Sequence, residues 1–268
     1  MSPVLRFSHG RIKTVIPLRW RSVTREAGVT QELRLRPLTA RSVVLSTLLG
    51  AHPPELPVRE LVRIAALFGI NDTALRVALT RMVSAGDLHR TDGTYRLNER
   101  LVDRQRRQDE GVDPSTTAWD GTWEIVAVTA TGRSPADRAA LRARMTALRL
   151  GELREGLWLR PTNLRRAWTP DPGVQRFTAL PETPSPALAR TLWDLDEWAA
   201  HGRTLLHHFR AADQPVDRFT TAAAIVRHLL ADPILPDPLL PRPWPADELR
   251  VAYRGYQREL AALADLPR

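Results

Sequence analysis

Apolar residues recur at helical spacing along the first third of the chain, between recognisable start and stop residues. Val43, Val44, Leu45, Leu48 and Leu49 form one stripe, preceded by Thr39 as an N-cap and followed by Gly50 and Pro53-Pro54. A second helix is expected to start at Pro57, because proline is favoured in a first turn. Leu61, Ile64, Ala65 and Phe68 make its buried face and Gly69 closes it. Asn71 or Asp72 caps a third helix that stops before Gly86. Asp92-Gly93 then marks a tight turn between two short extended runs.

At about 100° per residue, Leu75, Ala78, Leu79 and Met82 gather on one side of the third helix. Thr73, Arg76, Val77, Thr80 and Ser84 gather on the other, with Arg81 beside them. The apolar side must pack on the first two helices. The opposite side is then free for a DNA major groove, which is wide enough to admit a helix. Three helices followed by a hairpin read as a winged helix-turn-helix. Arg76 is the leading base reader and Thr80 the second, and Arg81 meets a base or a phosphate. Arg90, Thr91, Thr94 and Arg96 flank the wing tip and suit phosphate or minor-groove contacts. The competing reading makes Arg76 and Arg81 ordinary solvated helix charges.

Residues 99–112 mix charges of both signs and read as a solvated helix end and linker, and residues 113–118 as a loop. Trp123 to Ala130 is rich in β-formers and reads as a buried strand. Arg138 to Leu150 reads as a helix ended by Gly151, and Gly156 to Pro161 as a second strand with Leu157 and Leu159 opposite Trp158 and Arg160. That strand–helix–strand order suits a ferredoxin-like α/β domain. Residues 169–186 are proline-rich and read as irregular. From Ser185 the chain is helical, with Leu188, Leu192, Leu195 and Trp198 along one side. Further helices are expected over Phe219–Leu230 and Ala246–Leu263, separated by a proline-stiffened connector at 232–245. The fold class expected is α+β. Its parts are a basic arm (1–37), a winged helix with linker (38–112), a ferredoxin-like middle (113–184) and a helical C-terminal domain (185–268).

Composition adds a partner. The 268 residues are 43% hydrophobic and 26% charged, room for two or three globular domains. The net charge of +9 points to a polyanion. Lys13 is the only lysine, so arginine carries almost all the positive charge. Arginine suits bidentate contacts to phosphate and guanine, although a GC-rich genome produces the same bias. Arg6, Arg11, Lys13, Arg19, Arg21, Arg25, Arg34 and Arg36 crowd the first 37 residues. Three readings stand for that arm: a flexible segment touching phosphates, a disordered leader, or an upstream start codon taken in error.

Several chemistries are excluded. There is no cysteine, so disulfides, thiol nucleophiles and cysteine metal sites are ruled out. No apolar run approaches the ~20 residues of a membrane span, and a cytoplasmic protein is expected. His201, His207, His208 and His228 lack the carboxylate spacing of a metal motif, so no metal is expected. Trp158, Arg160 and Asn163 are candidates to line a ligand pocket, with Arg160 meeting a phosphate. The other reading is an aromatic strand packed in the core. No catalytic triad or Gly-rich phosphate loop occurs, and the first middle-domain strand runs into Thr129-Ala130-Thr131-Gly132 where a ferredoxin-like nuclease carries its metal-binding Asp. No catalytic residue and no cofactor is therefore expected. A metal-dependent nuclease, a CoA-ester enzyme carrying a winged helix, and a nonspecific nucleic-acid binder are the competing classes.

Four blocks in order carry a resemblance. They are Gly69-Ile70-Asn71 with Arg76, Ala78-Leu79, Arg81 and Gly86-Asp87-Leu88; Trp119-Asp120-Gly121-Thr122-Trp123 with Gly156 to Pro161 and Asn163-Leu164; Leu192-Trp193-Asp194-Leu195; and Asp232 to Pro236 with Leu239-Leu240-Pro241 and Trp244-Pro245. Over residues 39–260 the chain resembles the phenylacetic acid degradation repressor (PaaX-like) family. The resemblance implies a dimeric transcriptional repressor on double-stranded DNA, released by an aryl-CoA thioester or similar acidic effector. The chain departs from the family pattern at Arg227-His228, where the basic stretch is reduced, and at Ala246, where glycine is usual.

Overall fold

The computed structural model describes residues 38–169 and 171–263, with the backbone alone at Leu263. The arm expected over residues 1–37 lies outside the described residues. Helix α1 (Ala40–Gly50) starts as its sequence asks: Thr39 Oγ1 accepts from the Ser42 amide, and Ser42 Oγ accepts from the Thr39 amide. A strand not expected from the sequence, β1 (Glu55–Pro57), follows, so Pro57 ends a strand and α2 (Val58–Leu67) begins one residue later. The next elements are α3 (Asp72–Ser84), β2 (Leu88–Thr91) and β3 (Thr94–Leu97). They form a three-stranded antiparallel sheet in the order β1-β3-β2 beneath the three helices. Pro57 sits on the edge strand, where its missing amide disturbs no ladder. Leu48, Ile64, Leu75, Leu79 and Leu97 meet in the shared core.

Residues 99–112 correct the sequence reading. They form α4 (Glu99–Val112), a continuous helix with Leu101, Gln105, Gln108, Gly111 and Val112 buried. Gln105 and Gln108 interrupt its inner face between Leu101 and Val112, so no apolar period advertises it. Gln105 Nε2 donates to the carbonyls of Leu49 at 3.1 Å and Ala51 at 2.7 Å, which the end of α1 leaves without helical partners.

The second sheet is four-stranded, antiparallel and ordered β5-β6-β4-β7. Its strands are β4 (Trp123–Val128), β5 (Gly151–Arg154), β6 (Leu157–Pro161) and β7 (Val174–Ala179). Helix α5 (Pro135–Ala147) crosses between β4 and β5. It begins three residues earlier than expected, at a capping box in which the Ser134 hydroxyl and the Asp137 carboxylate serve each other's amides. Gly151 opens β5 rather than ending the helix. A Cβ there would lie 2.7 Å from Leu192 Cβ, so only glycine lets these segments approach. The expected alternation along β6 holds: Leu159 joins Trp123 and Leu195 on one face, and Trp158 joins Val126 and Met145 on the other. Strand β7 falls in the stretch expected to be irregular. Among the described residues it pairs with β4 alone, and its side chains are largely exposed.

The remaining chain is helical: α6 (Ser185–Leu192), α7 (Leu195–Ala211), α8 (Pro215–Leu229) and α9 (Ala246–Leu263). The single stripe expected from Leu188 to Trp198 is broken at Trp193, because Asp194 caps a new helix by accepting from the Glu197 amide. Trp198 stacks between His228, at 4.2 Å, and Trp244, at 4.3 Å. His228 Nε2 donates to the Trp198 carbonyl at 3.0 Å, and burial lowers its pKa to about 4 from the usual 6.5. His201 beside it is lowered for the same reason. Above pH 6.5 the His228 imidazole is neutral whether the chain is folded or not. Below it, the unfolded chain binds a proton that the folded chain refuses until about pH 4, so stability falls with pH through that window. In denaturant titrations, the wild type is expected to lose more stability between about pH 7.5 and about pH 5 than His228→Phe, which keeps a ring but does not titrate. Equal losses would remove His228 as the cause.

Candidate nucleic-acid interface

Helix α3 begins at Asn71, whose Oδ1 accepts from the Ala74 amide at 2.8 Å, just after Gly69 turns the chain at φ 70°. Leu75, Leu79 and Met82 bury one side. Thr73, Arg76, Val77, Thr80, Arg81 and Ser84 are all exposed on the rest of the helix, as the angular arithmetic requires. Val77, an apolar β-branched side chain, is 44% exposed. Arg76 Nε donates to Asp72 Oδ2 at 2.7 Å, and this hydrogen bond, with the attraction of the carboxylate, raises the guanidinium pKa. The bond ties Nε to the preceding turn of the helix, and the side chain remains 60% exposed. Thr80 Oγ1 donates to the Arg76 carbonyl at 3.0 Å, which leaves its lone pairs available as acceptors.

The hairpin beside α3 closes on Asp92 and Gly93, at φ 49° and 78°. Both values suit the tight two-residue turn that matches the strand twist. Arg90 faces Tyr95 across the ladder, its guanidinium 5.9 Å from the ring centroid. Thr91 pairs with Thr94, and Arg96 lies opposite His89 and Glu55. Arg90, Thr91 and Arg96 are exposed, and Thr94 is half-buried beside β1. Two further arginines, which pattern reasoning did not single out, belong to the same end of the molecule. Buried Asp87 accepts from Arg41 of α1 at 2.8 Å and from Arg100 of α4 at 2.7 Å. The carboxylate pins α1 and α4 to the root of β2 while both guanidiniums stay largely in solvent. A groove of about 390 Å³, lined by Arg41, Ala74, Val77, Arg81 and Asp87, runs along this face.

The structure places Trp158, Arg160 and Asn163 in the interior. Trp158 packs with Met145 and Leu150. The Arg160 guanidinium is fully buried, and burial lowers its pKa to about 9. Its donors go to protein: Nε to the Pro161 carbonyl at 3.0 Å, Nη2 to Asn163 Oδ1 at 3.1 Å and to the Ile234 carbonyl at 3.4 Å, and Nη1 to the Arg149 carbonyl at 3.4 Å. Asn163 Nδ2 donates to the Ile234 carbonyl at 3.0 Å. Ile234 has φ 51°, a left-handed conformation that is costly for a β-branched residue. Asp232 holds it there, accepting from the Ile234 amide and pairing with Arg250 of α9, whose Nε donates to the Gly111 carbonyl at the end of α4. These residues make a charged knot that ties β6, α4 and α9 together.

Comparison with known families follows this organisation. Residues 39–101 match a model described as PaaX-like protein, residues 116–170 the PaaX protein central Cas2-like domain, and residues 193–266 the PaaX-like protein C-terminal domain. The chain belongs to the PaaX-like family. A solved structure titled "Uncharacterized protein Rv0674 from Mycobacterium tuberculosis" is 51% identical to this PaaX-like chain. The match covers 85% of this chain and 97% of that one, with a TM-score of 0.75. No curated protein matches. Membership in the family supports a regulatory role. Among the described residues, no helix is long and apolar enough to cross a membrane.

Proposed function

We propose that this PaaX-like protein is a sequence-specific DNA-binding transcriptional regulator, a homodimeric repressor released from DNA by a small acidic effector. The observation that carries the reading is the exposed row Thr73, Arg76, Val77, Thr80, Arg81 and Ser84 on a helix flanked by an arginine-bearing hairpin. In this reading the first 75 or so described residues are a winged helix, and the strand order β5-β6-β4-β7 is that of a ferredoxin-like middle domain. Arg76 enters the major groove with its Nε held by Asp72, so its two terminal nitrogens meet guanine O6 and N7. Val77 offers its methyl groups to a thymine. Arg90 and Arg96, with Arg41 and Arg100, take phosphates. A two-fold dimer reads a palindrome. No catalysis is assigned to the chain, and a metal-dependent nuclease assay is expected to be blank.

Arg76→Ala is expected to cost roughly 1–3 kcal/mol of operator binding, about 5- to 150-fold, and to relax the preference at one base pair. Arg90→Ala is expected to weaken all sequences alike and to flatten the salt slope by about one phosphate contact. Footprinting on the DNA upstream of the gene identifies the site. Fluorescence anisotropy at fixed salt then measures both variants on site and scrambled duplexes. Unchanged affinity and selectivity in Arg76→Ala would sink the assignment of this face.

A further inference from the structure

A chamber of about 120 Å³ lies at the seam of α1, α4, α8 and α9. Leu49, Phe219, Ala222, Val226, Leu230 and Leu260 give it apolar walls. Two hydroxyls among its lining residues, Thr47 Oγ1 and Tyr256 Oη, are buried without a hydrogen-bond partner. Thr47 is only 5% exposed, so its hydroxyl gains nothing from bulk water. A buried polar group left unpaired is costly, so two in one chamber ask for a ligand. Burial pushes the Tyr256 hydroxyl well above its ordinary pKa, which keeps it a donor. Arg104 and Arg227, both exposed, stand at the rim, and no carboxylate lines the chamber among the described residues. Gln108 is already committed, donating to Tyr253 Oη at 2.9 Å.

Space and charge together name the ligand class. A cavity of about 150 Å³ with apolar walls holds one benzene ring. The unpaired groups here donate, and the rim is cationic. We propose that this chamber binds a small monocyclic aromatic carboxylate, its ring among the apolar walls and its carboxylate taken by Thr47, Tyr256 and the rim arginines. The site also has a mechanical connection to the DNA-facing helices. Phe219 lines the chamber and packs on Phe68 at 4.6 Å between ring centroids. Phe68 follows the last residue of α2 and lies three residues before Asn71, the cap of α3. A ligand that fixes Phe219 therefore acts on the α2–α3 turn, and this coupling rests on the DNA-binding reading proposed above. Binding itself does not.

The test is isothermal titration of the full chain with benzoate and with benzamide, its uncharged analogue. Benzoate is expected to bind, with benzamide at least about tenfold weaker. Thr47→Val and Tyr256→Phe, both close in shape to the originals, are each expected to weaken benzoate by about tenfold or more while the melting temperature is kept or raised. The absence of benzoate heat with the wild type, or equal binding by both variants, overturns the site. Equal binding of benzamide overturns the carboxylate class. Binding of benzoyl-CoA with benzoate silent overturns the proposal in favour of a ligand seated elsewhere. Anisotropy with the upstream duplex separates the two claims: DNA bound and released by benzoate supports the coupling, and DNA bound but indifferent to benzoate overturns it. If benzoate binds and no DNA ever does, the chamber stands and the regulator reading falls.

Discussion

Asp232→Ala is expected to destabilise the protein by about 3–5 kcal/mol, the cost of breaking a buried ion pair from one side. Asp232 is 1% exposed, and without it Arg250 Nη2 loses its buried partner, while Nη1 keeps the exposed Asp247 at 3.1 Å and Nε keeps the Gly111 carbonyl. The loss is compounded by backbone. Asp232 Oδ1 accepts the Ile234 amide at 3.0 Å, and Ile234 sits in a left-handed conformation it does not favour. Without that bond the Ile234 carbonyl loses its aim at Asn163 Nδ2, and Arg160 loses one of its buried acceptors. Burial of Arg149, which also donates to the Asp232 carbonyl, makes the local excess of positive charge worse. Asp232→Asn keeps an acceptor for the amide and removes the charge, so it is expected to fall between the two. Urea unfolding of the three proteins measures this; a loss below about 1 kcal/mol for Asp232→Ala would mean that Arg250 finds water or another acceptor.

The parts of this molecule that sequence reasoning reached are those whose chemistry is local. The face of α3 follows from a period, and the Asp92-Gly93 hairpin from a backbone requirement of two adjacent residues. Strands β1, β5 and β7 were missed because their reason for existing lies elsewhere in the chain. Glu55–Pro57 is extended because β3 offers it an edge, and Val174–Ala179 because β4 does. Residues 99–112 read as a solvated helix end and linker because the middle of the buried side of α4 is Gln105 and Gln108, which bury by hydrogen bonding rather than by being apolar. Its partners are carbonyls near residue 50 and a tyrosine near the C-terminus, and no window of sequence contains both. Arg160 shows the same limit. Its type suggests a phosphate, and only the three-dimensional arrangement reveals four protein carbonyl or amide oxygens already around it.

A second buried charge makes the same argument at the sheet. Glu124→Ala is expected to cost about 3 kcal/mol, the low end of the range for a buried pair. Glu124 is 1% exposed in the central strand β4, an acid within a run that otherwise reads as apolar. Its Oε2 accepts from Arg166 Nη2 at 2.7 Å. Its Oε1 lies 2.9 Å from Arg176 Nε, close enough for an ion pair but not aligned as a hydrogen bond. Arg166 is mostly buried and its Nε has no partner, so removing the carboxylate strands a guanidinium beside Arg160, which already suffers from its charge. Arg176 is nearly half exposed and stacks 5.3 Å from the Trp168 centroid, so it relaxes into solvent and keeps the total from reaching the upper end. Glu124→Gln separates charge from shape: it retains an acceptor for Arg166 and is expected to lose about half as much. If Glu124→Ala unfolds at the same urea concentration as the wild type, the pairing is incidental, and the acid is then tolerated in β4 only because Arg176 lets water reach it.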